Sequence, residues 1–161
     1  MSQKNSRKSG KKPVKNRSKS RQFAVQALYS WLLSEQNVSD IEVHFISDHD
    51  MEDADVTYFQ EILHFVAAHK MALIDQMEAF LSRSFVSVDP VEQAILLIGV
   101  FELEQRPDIP YRVVINESVE SAKIFGAEDG HKFINGIMDK VAAKLRQPEV
   151  KAPHRKKARK K

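Results

Sequence analysis

Between Phe23 and Leu145 the apolar side chains return every three or four residues, and no stretch shows the alternation of a half-buried strand. A chain patterned this way over most of its length folds as packed helices. The tightest constraint is the run Ala94-Ile95-Leu96-Leu97-Ile98-Gly99-Val100-Phe101, which is apolar all round. A helix with no polar face has to be surrounded by others, so this one belongs at the centre. Asp89-Pro90-Val91-Glu92 marks its start, with Asp89 as cap, Pro90 at the first helical position and Glu92 reaching back from the third.

The other helices follow from the same periodicity. The first runs from about Ser18 to Ser34 and presents Phe23, Ala24, Ala27, Leu28, Trp31 and Leu32 on one face. A short second helix follows Ser39, where Ser39 and Glu42 have capping-box spacing and Ile41 and Phe45 share a face. A third begins near the acidic cluster Asp50–Asp55 and buries Phe59, Ile62, Leu63 and Val66. The pattern continues through Leu73, Ile74, Met77, Phe80 and Leu81, too far for one uncapped globular helix, which predicts a break near Ala68–Lys70 and a fourth helix after it. Arg106-Pro107-Asp108-Ile109-Pro110 reads as a connection. The sixth helix spans about Arg112 to Phe125, with Gly126 supplying the left-handed residue at its end. The seventh starts around Asp129–Gly130, buries Phe133, Ile137, Val141 and Leu145, and stops before Pro148. The fold class is therefore all-α, a compact bundle of seven helices, and 161 residues make one domain of it.

Charge is distributed unevenly. Residues 1–21 hold nine Lys or Arg and no acid, and residues 144–161 hold nine against the single acid Glu149, leaving seven basic and 21 acidic residues between them. The ends attract nucleic acid and the body repels it. Residues 1–17 and 147–161 have too few apolar side chains to offset their own ordering entropy and read as disordered basic tails around a helical domain at 18–146. With no cysteine there is no disulfide, thiolate metal site or cysteine nucleophile, which suits a reducing cytosol. No apolar run approaches the roughly 18 residues of a membrane span, and the basic N-terminus lacks the apolar segment of a secretion signal, so the expected location is cytoplasmic, away from membranes.

Three ordered blocks carry a resemblance. Val113-Val114-Ile115-Asn116-Glu117-Ser118-Val119-Glu120-Ser121-Ala122-Lys123-Ile124-Phe125-Gly126, followed by Lys132-Phe133-Ile134-Asn135-Gly136-Ile137-Met138-Asp139, resembles the C-terminal signature of the NusB family of transcription antitermination factors. Arg21-Gln22-Phe23-Ala24-Val25-Gln26-Ala27-Leu28-Tyr29 is similar to the family's opening helix, and Glu92 through Leu103 to its central one. The resemblance covers about 18–146. It implies a seven-helix fold in two helical subdomains. It also implies binding of boxA RNA of ribosomal RNA leaders together with NusE, a small-subunit ribosomal protein, in an RNA polymerase antitermination complex with other Nus factors. A monomer and a homodimer are both compatible with it. A NusB-like domain also occurs fused to ribosomal RNA methyltransferases, for which this chain lacks the length.

For RNA, the basic segment Lys15, Arg17, Lys19 and Arg21 leads directly into the first helix. Cations there oppose the helix dipole, which suggests the charge has a use such as phosphate contact or stacking on bases. The plain alternative is a solvated tail. The resemblance carries RNA contact onto Arg17, Lys19 and Arg21, with Ser18 and Ser20 interrupting the run. A second surface is the start of the seventh helix, where backbone amides and Lys132 attract phosphate, Phe133 either stacks on a base or packs in the core, Asn135 either bonds a base or supports packing, and Asp129 works against an anion. For the protein partner, the resemblance points to Tyr29 and Glu92, and Val86 stands where relatives can carry an acid.

Enzymatic readings are weaker. Glu61-x-x-His64 and Glu128-x-x-His131 have the spacing of a di-iron carboxylate bundle, but Glu128 falls at a helix start, away from mid-bundle. His44 and His49 span a helix end and read as surface histidines. No phosphate loop, nucleophile elbow or HExxH is present, so the expectation is a non-enzyme with no cofactor. A non-specific helical RNA-binding or ribosome-assembly protein remains the alternative. A duplex-DNA module would need a basic recognition helix, and the basic residues sit in the tails.

Overall fold

The computed structural model describes residues 16–152, and within them seven α-helices form: α1 Arg17–Leu33, α2 Val38–Asp48, α3 Val56–Met77, α4 Pro90–Gln105, α5 Tyr111–Phe125, α6 Gly130–Leu145 and α7 Gln147–Lys151. Short 3-10 turns at Glu78–Phe80 and Phe85–Ser87 link α3 to α4. No strand occurs among the described residues, only one isolated bridge between Asn16 and Ala54. No described helix is long and apolar enough to cross a membrane.

The caps explain the boundaries. Asp89 accepts from the Val91 amide at 2.9 Å and Pro90 opens α4, as its sequence predicts. Every residue from Glu92 to Leu103 is buried, because α4 packs against α1, α3, α5 and α6 together. The α1–α3 group covers one side of it and α5–α6 the other. The expected break in the long third helix falls at His69, whose φ of −125° and ψ of 25° leave the helical region.

Several local expectations change. Asn37 caps α2 by accepting from the Ser39 and Asp40 amides, so the helix starts before Ser39 and no Ser39–Glu42 capping box forms. Glu42 instead accepts from Gln60 and contacts the His64 ring, each at 2.6 Å, fastening α2 to α3. Gly126 is extended (φ −90°, ψ 177°), not left-handed. Glycine fits there because a Cβ would stand 2.8 Å from the Ala122 carbonyl. The left-handed residue is Asp129, with φ of 71°. On α6, Ile134 and Met138 join Ile137 and Val141 in the core, while Phe133 and Leu145 are only half-buried.

Both expected tail boundaries move outward. Asn16 caps α1 through the Lys19 amide and donates its own N–H to the Asp53 carbonyl. At the other end, residues 147–151, read as tail, form α7 and dock. Glu149 accepts from the Tyr111 amide at 3.0 Å, capping α5, whose N-cap Pro110 has no side-chain oxygen to offer. Burial pushes the Glu149 carboxyl up, yet the Tyr111 amide and the Arg146 guanidinium hold it below the ordinary value. Arg146 itself is buried and donates to four backbone carbonyls, those of Leu103, Glu102, Arg106 and Ile109. The first two belong to the last turn of α4, where the Glu102 carbonyl also accepts from the Arg106 amide at 3.0 Å, while the i+4 residue of Leu103 is Pro107, which has no N–H to give.

Candidate nucleic-acid interface

The basic run ahead of α1 divides once the helix forms. Lys15 lies outside the described residues. Arg17 and Lys19 stay partly exposed, and each faces an acid of its own chain: Arg17 is 3.6 Å from Asp55 and Lys19 is 3.9 Å from Asp53. Such loose exposed pairs hold little energy and leave both cations available to a phosphate.

Arg21 does something else. It is 6% exposed, and its Nε donates to both oxygens of Glu102 at 3.0 and 2.8 Å, with Glu117 at 3.6 Å. Tyr58 donates its hydroxyl to the same Glu102 carboxylate. Arg21 is thus a core residue, which corrects its expected place on the RNA-facing surface. Positions 21, 24, 25 and 28 share one helical face, so the arginine enters the interior with Ala24, Val25 and Leu28. The partners respond differently to burial. For Glu102 burial outweighs the pull of Arg21 and Tyr58 and raises the carboxyl, whereas for Arg21 the nearby carboxylates outweigh burial and hold the guanidinium charged. Burial first, and Glu102 second, push the Tyr58 hydroxyl far above the ordinary tyrosine value. The Tyr58 ring also lies beneath three guanidiniums, those of Arg17 (4.4 Å), Arg106 (5.0 Å) and Arg21 (5.6 Å). Arg17 is therefore braced from below while its outer side meets solvent.

At the second expected surface, Lys132 is exposed at the start of α6 and its Nζ is 3.5 Å from Asp129. The Asp129 carboxylate makes no capping bond to an α6 amide, though its carbonyl accepts from the Lys132 amide at 3.0 Å, so the side chain partly screens Lys132 without closing the helix end. Phe133 packs one side on the core while the Arg83 guanidinium lies 5.4 Å from its ring centroid. Asn135 is exposed, two residues further along the helix.

Of the two partner-facing residues, Tyr29 is 38% exposed and borders an open groove of about 500 Å³ floored by Val25, Ile41, Phe45, Val91 and Phe125. His44 and His49 stand on the same groove. His49 is half-buried and stacked on Phe45 at 3.8 Å, so it is more than a surface histidine. Glu92, adjacent to the groove residue Val91, is only 8% exposed and makes no capping bond with Asp89. Its Oε2 lies where a Cβ on Gly130 would come within 2.6 Å, so the carboxylate rests against the first residue of α6. Burial and then Asp89 raise its carboxyl above the ordinary value, opposed by Arg83. Val86 is 82% exposed. The pair considered for iron splits outward: Glu61 binds Arg106 at 2.9 Å, and His64 binds Glu42.

Two residues that position these surfaces, Glu102 and Arg146, escaped the sequence reading. Glu102 is the one polar side chain between Ala94 and Leu103 of α4, and a buried acid on such a helix calls for a cation on a facing one.

Comparison with known proteins adds the relationship. The NusB family model matches residues 18–143. Proteins named transcription antitermination protein NusB, from Yersinia pestis (strain Pestoides F) and Yersinia pseudotuberculosis serotype O:1b, are each 49% identical over 136 residues, covering 84% of this chain and 98% of theirs. Among solved structures, Thermotoga maritima NusB (T. maritima) matches with a TM-score of 0.71 at 24% identity, over 80% of this chain and 92% of that one, which speaks to the fold.

Proposed function

The chain belongs to the NusB family, and on that footing we propose that it is a transcription antitermination factor. In this reading it binds boxA RNA of ribosomal RNA leaders together with NusE, within a complex of RNA polymerase and other Nus factors. The observation that carries the reading is the extent of likeness to relatives named for antitermination, which spans nearly their whole length. The geometry supports it. Arg17 and Lys19 supply phosphate attraction at the start of α1, and Lys132 supplies it at the start of α6. Tyr29 on its apolar groove, with Glu92 beside it, suits a basic ribosomal protein, and so does the acidic body.

The test is fluorescence anisotropy of labelled boxA RNA and a scrambled control, with and without NusE, at two salt concentrations. We expect tighter binding to boxA, strengthened by NusE. Arg17→Ala with Lys19→Ala should weaken both RNAs and shallow the salt dependence by roughly one to two phosphate contacts. Arg21 is left out of this variant because its loss would disturb the core. Equal, salt-sensitive binding to both RNAs with no NusE effect would replace the antitermination reading with that of a non-specific RNA-binding protein.

The contact of Glu92 with Gly130 puts a partner-facing carboxylate against the RNA-facing end of α6. In Gly130→Ala the new methyl displaces Glu92, the flexible end of a side chain, while alanine at a helix start is well tolerated. The expected result is unfolding stability within about 1 kcal/mol of wild type and NusE affinity lowered by roughly 1 kcal/mol. Unchanged NusE affinity, measured by calorimetry, would remove Glu92 from the partner surface.

A further inference from the structure

Between α5 and α6 lies a polar cleft of about 220 Å³ that none of the residues discussed for RNA, except Asn135, enters. Its lining is Tyr111, Arg112, Ile115, Asn116, Asn135 and Asp139. Asn116 and Asn135 are exposed, and among the described residues neither carboxamide has a hydrogen-bond partner. Asp139 has no ion pair among them either. Tyr111 is fixed in place, because its amide is held by Glu149 and its ring lies 5.3 Å from the Arg112 guanidinium carbon.

Resting on the antitermination reading, we infer that this cleft takes one unpaired base of the bound RNA. A base needs a flat surface to stack on and an edge of mixed donors and acceptors. The Tyr111 ring beside the Arg112 plane supplies the first, and the two carboxamides supply the second. Asp139 selects the moiety. A carboxylate in the lining repels a phosphate but accepts from an exocyclic amino group, so the occupant is an amino-bearing base, cytosine, adenine or guanine. Ile115 gives the cleft an apolar wall against the base.

The location fits one continuous RNA path. Asn116 precedes Glu117, which accepts from the Ser18 hydroxyl at 2.9 Å and so ties this turn of α5 to the start of α1. Along α6, Lys132, Asn135 and Asp139 fall on one side of the helix at spacings of three and four. A strand held by Arg17 and Lys19 at one end and Lys132 at the other crosses the cleft between them. Phosphate contacts then position the strand, and the cleft reads a base.

The test crosses a protein variant with an RNA scan. Wild type and Asn116→Ala/Asn135→Ala are titrated with intact boxA RNA, with a scrambled RNA, and with boxA RNAs each carrying one abasic position. Thermal unfolding of the variant is recorded alongside. We expect one abasic position to cost wild type about tenfold, the variant to lose a similar factor on intact RNA, and that same abasic position to cost the variant nothing more. Wild type preferring boxA while the variant binds it equally well, or a variant that still feels every abasic penalty, overturns the cleft assignment and leaves the antitermination reading standing. Wild type that fails to prefer boxA over the scrambled RNA overturns both.

Discussion

Arg21→Ala should destabilise the protein by about 3–5 kcal/mol, because it leaves the carboxylate of Glu102, 1% exposed, with Tyr58 as its remaining partner. For a domain of this size that lowers Tm by roughly 10 °C. The deficit has a pH signature. Burial already raises the Glu102 carboxyl, and Arg21 is the main influence pulling it down, so without Arg21 it rises further. An acid whose folded value lies above its unfolded one costs stability as pH climbs through the folded value. The gap between variant and wild type therefore widens from about pH 5 to about pH 8. The triple change Arg21→Met, Glu102→Leu, Tyr58→Phe removes the three buried polar members together, leaving the more exposed Glu117 to Ser18, and should recover most of the loss. Chemical denaturation at the two pH values decides the matter, and a loss under about 1 kcal/mol for Arg21→Ala would mean the pair is not an interior one.

Arg146→Ala should cost nearly as much, about 3 kcal/mol, for a different reason. Here Arg146 gathers neutral carbonyls at the end of α4 and in the 106–109 turn at 2.8 to 3.3 Å; those of Glu102 and Arg106 keep a backbone amide without it, and those of Leu103 and Ile109 are the ones left behind. Lysine has a single ammonium on a flexible stem and cannot fork across four carbonyls, so Arg146→Lys should recover little. Ending the chain after residue 146 keeps those bonds and loses Glu149, which caps α5 and pairs with Arg146, together with the half-buried Val150, at about 1–2 kcal/mol. Thermal melts of the three proteins separate the two contributions. Equal losses in all three would place the stabilisation in α7 instead of in Arg146.

These two arginines also mark where sequence reading stopped. Patterns that depend on neighbours along the chain were legible: the Asp89-Pro90 start, the apolar α4, the break near His69 and the helical class as a whole. Cap choice was less so, since Asn37 and Ser39 both carry a suitable oxygen and only the chain's entry angle decides between them. Charges were misread when counted by segment. Arg21 closes the basic segment counted at 1–21 and Arg146 falls within the one counted at 144–161, so their charge was assigned to the ends although both lie in the 18–146 domain and the helical face of Arg21 with Ala24 and Leu28 points inward. Glu149 was hidden for a similar reason, because the amide it caps is 38 residues away. At the proposed interface, Arg17, Lys19 and Lys132 were readable as cations near helix starts. The α5–α6 cleft was not, because it exists only once Asn116 and Asn135 are brought together by packing.

Tyr58 carries one more implication. A single phenol lies under a solvent-facing arginine on one side and donates to an interior carboxylate on the other. On the proposed role of Arg17, swapping the phenol therefore alters two inheritable traits in one step, robustness to heat and grip on a ligand. Lineages exploring new ligands through this corner have to do so by changing the outer arginine alone, or first acquire a replacement interior. That asymmetry makes the rim around Arg17 a narrow gate for divergence, whereas Lys132 at the far end, paired among the described residues with exposed Asp129, can be exchanged without disturbing the interior.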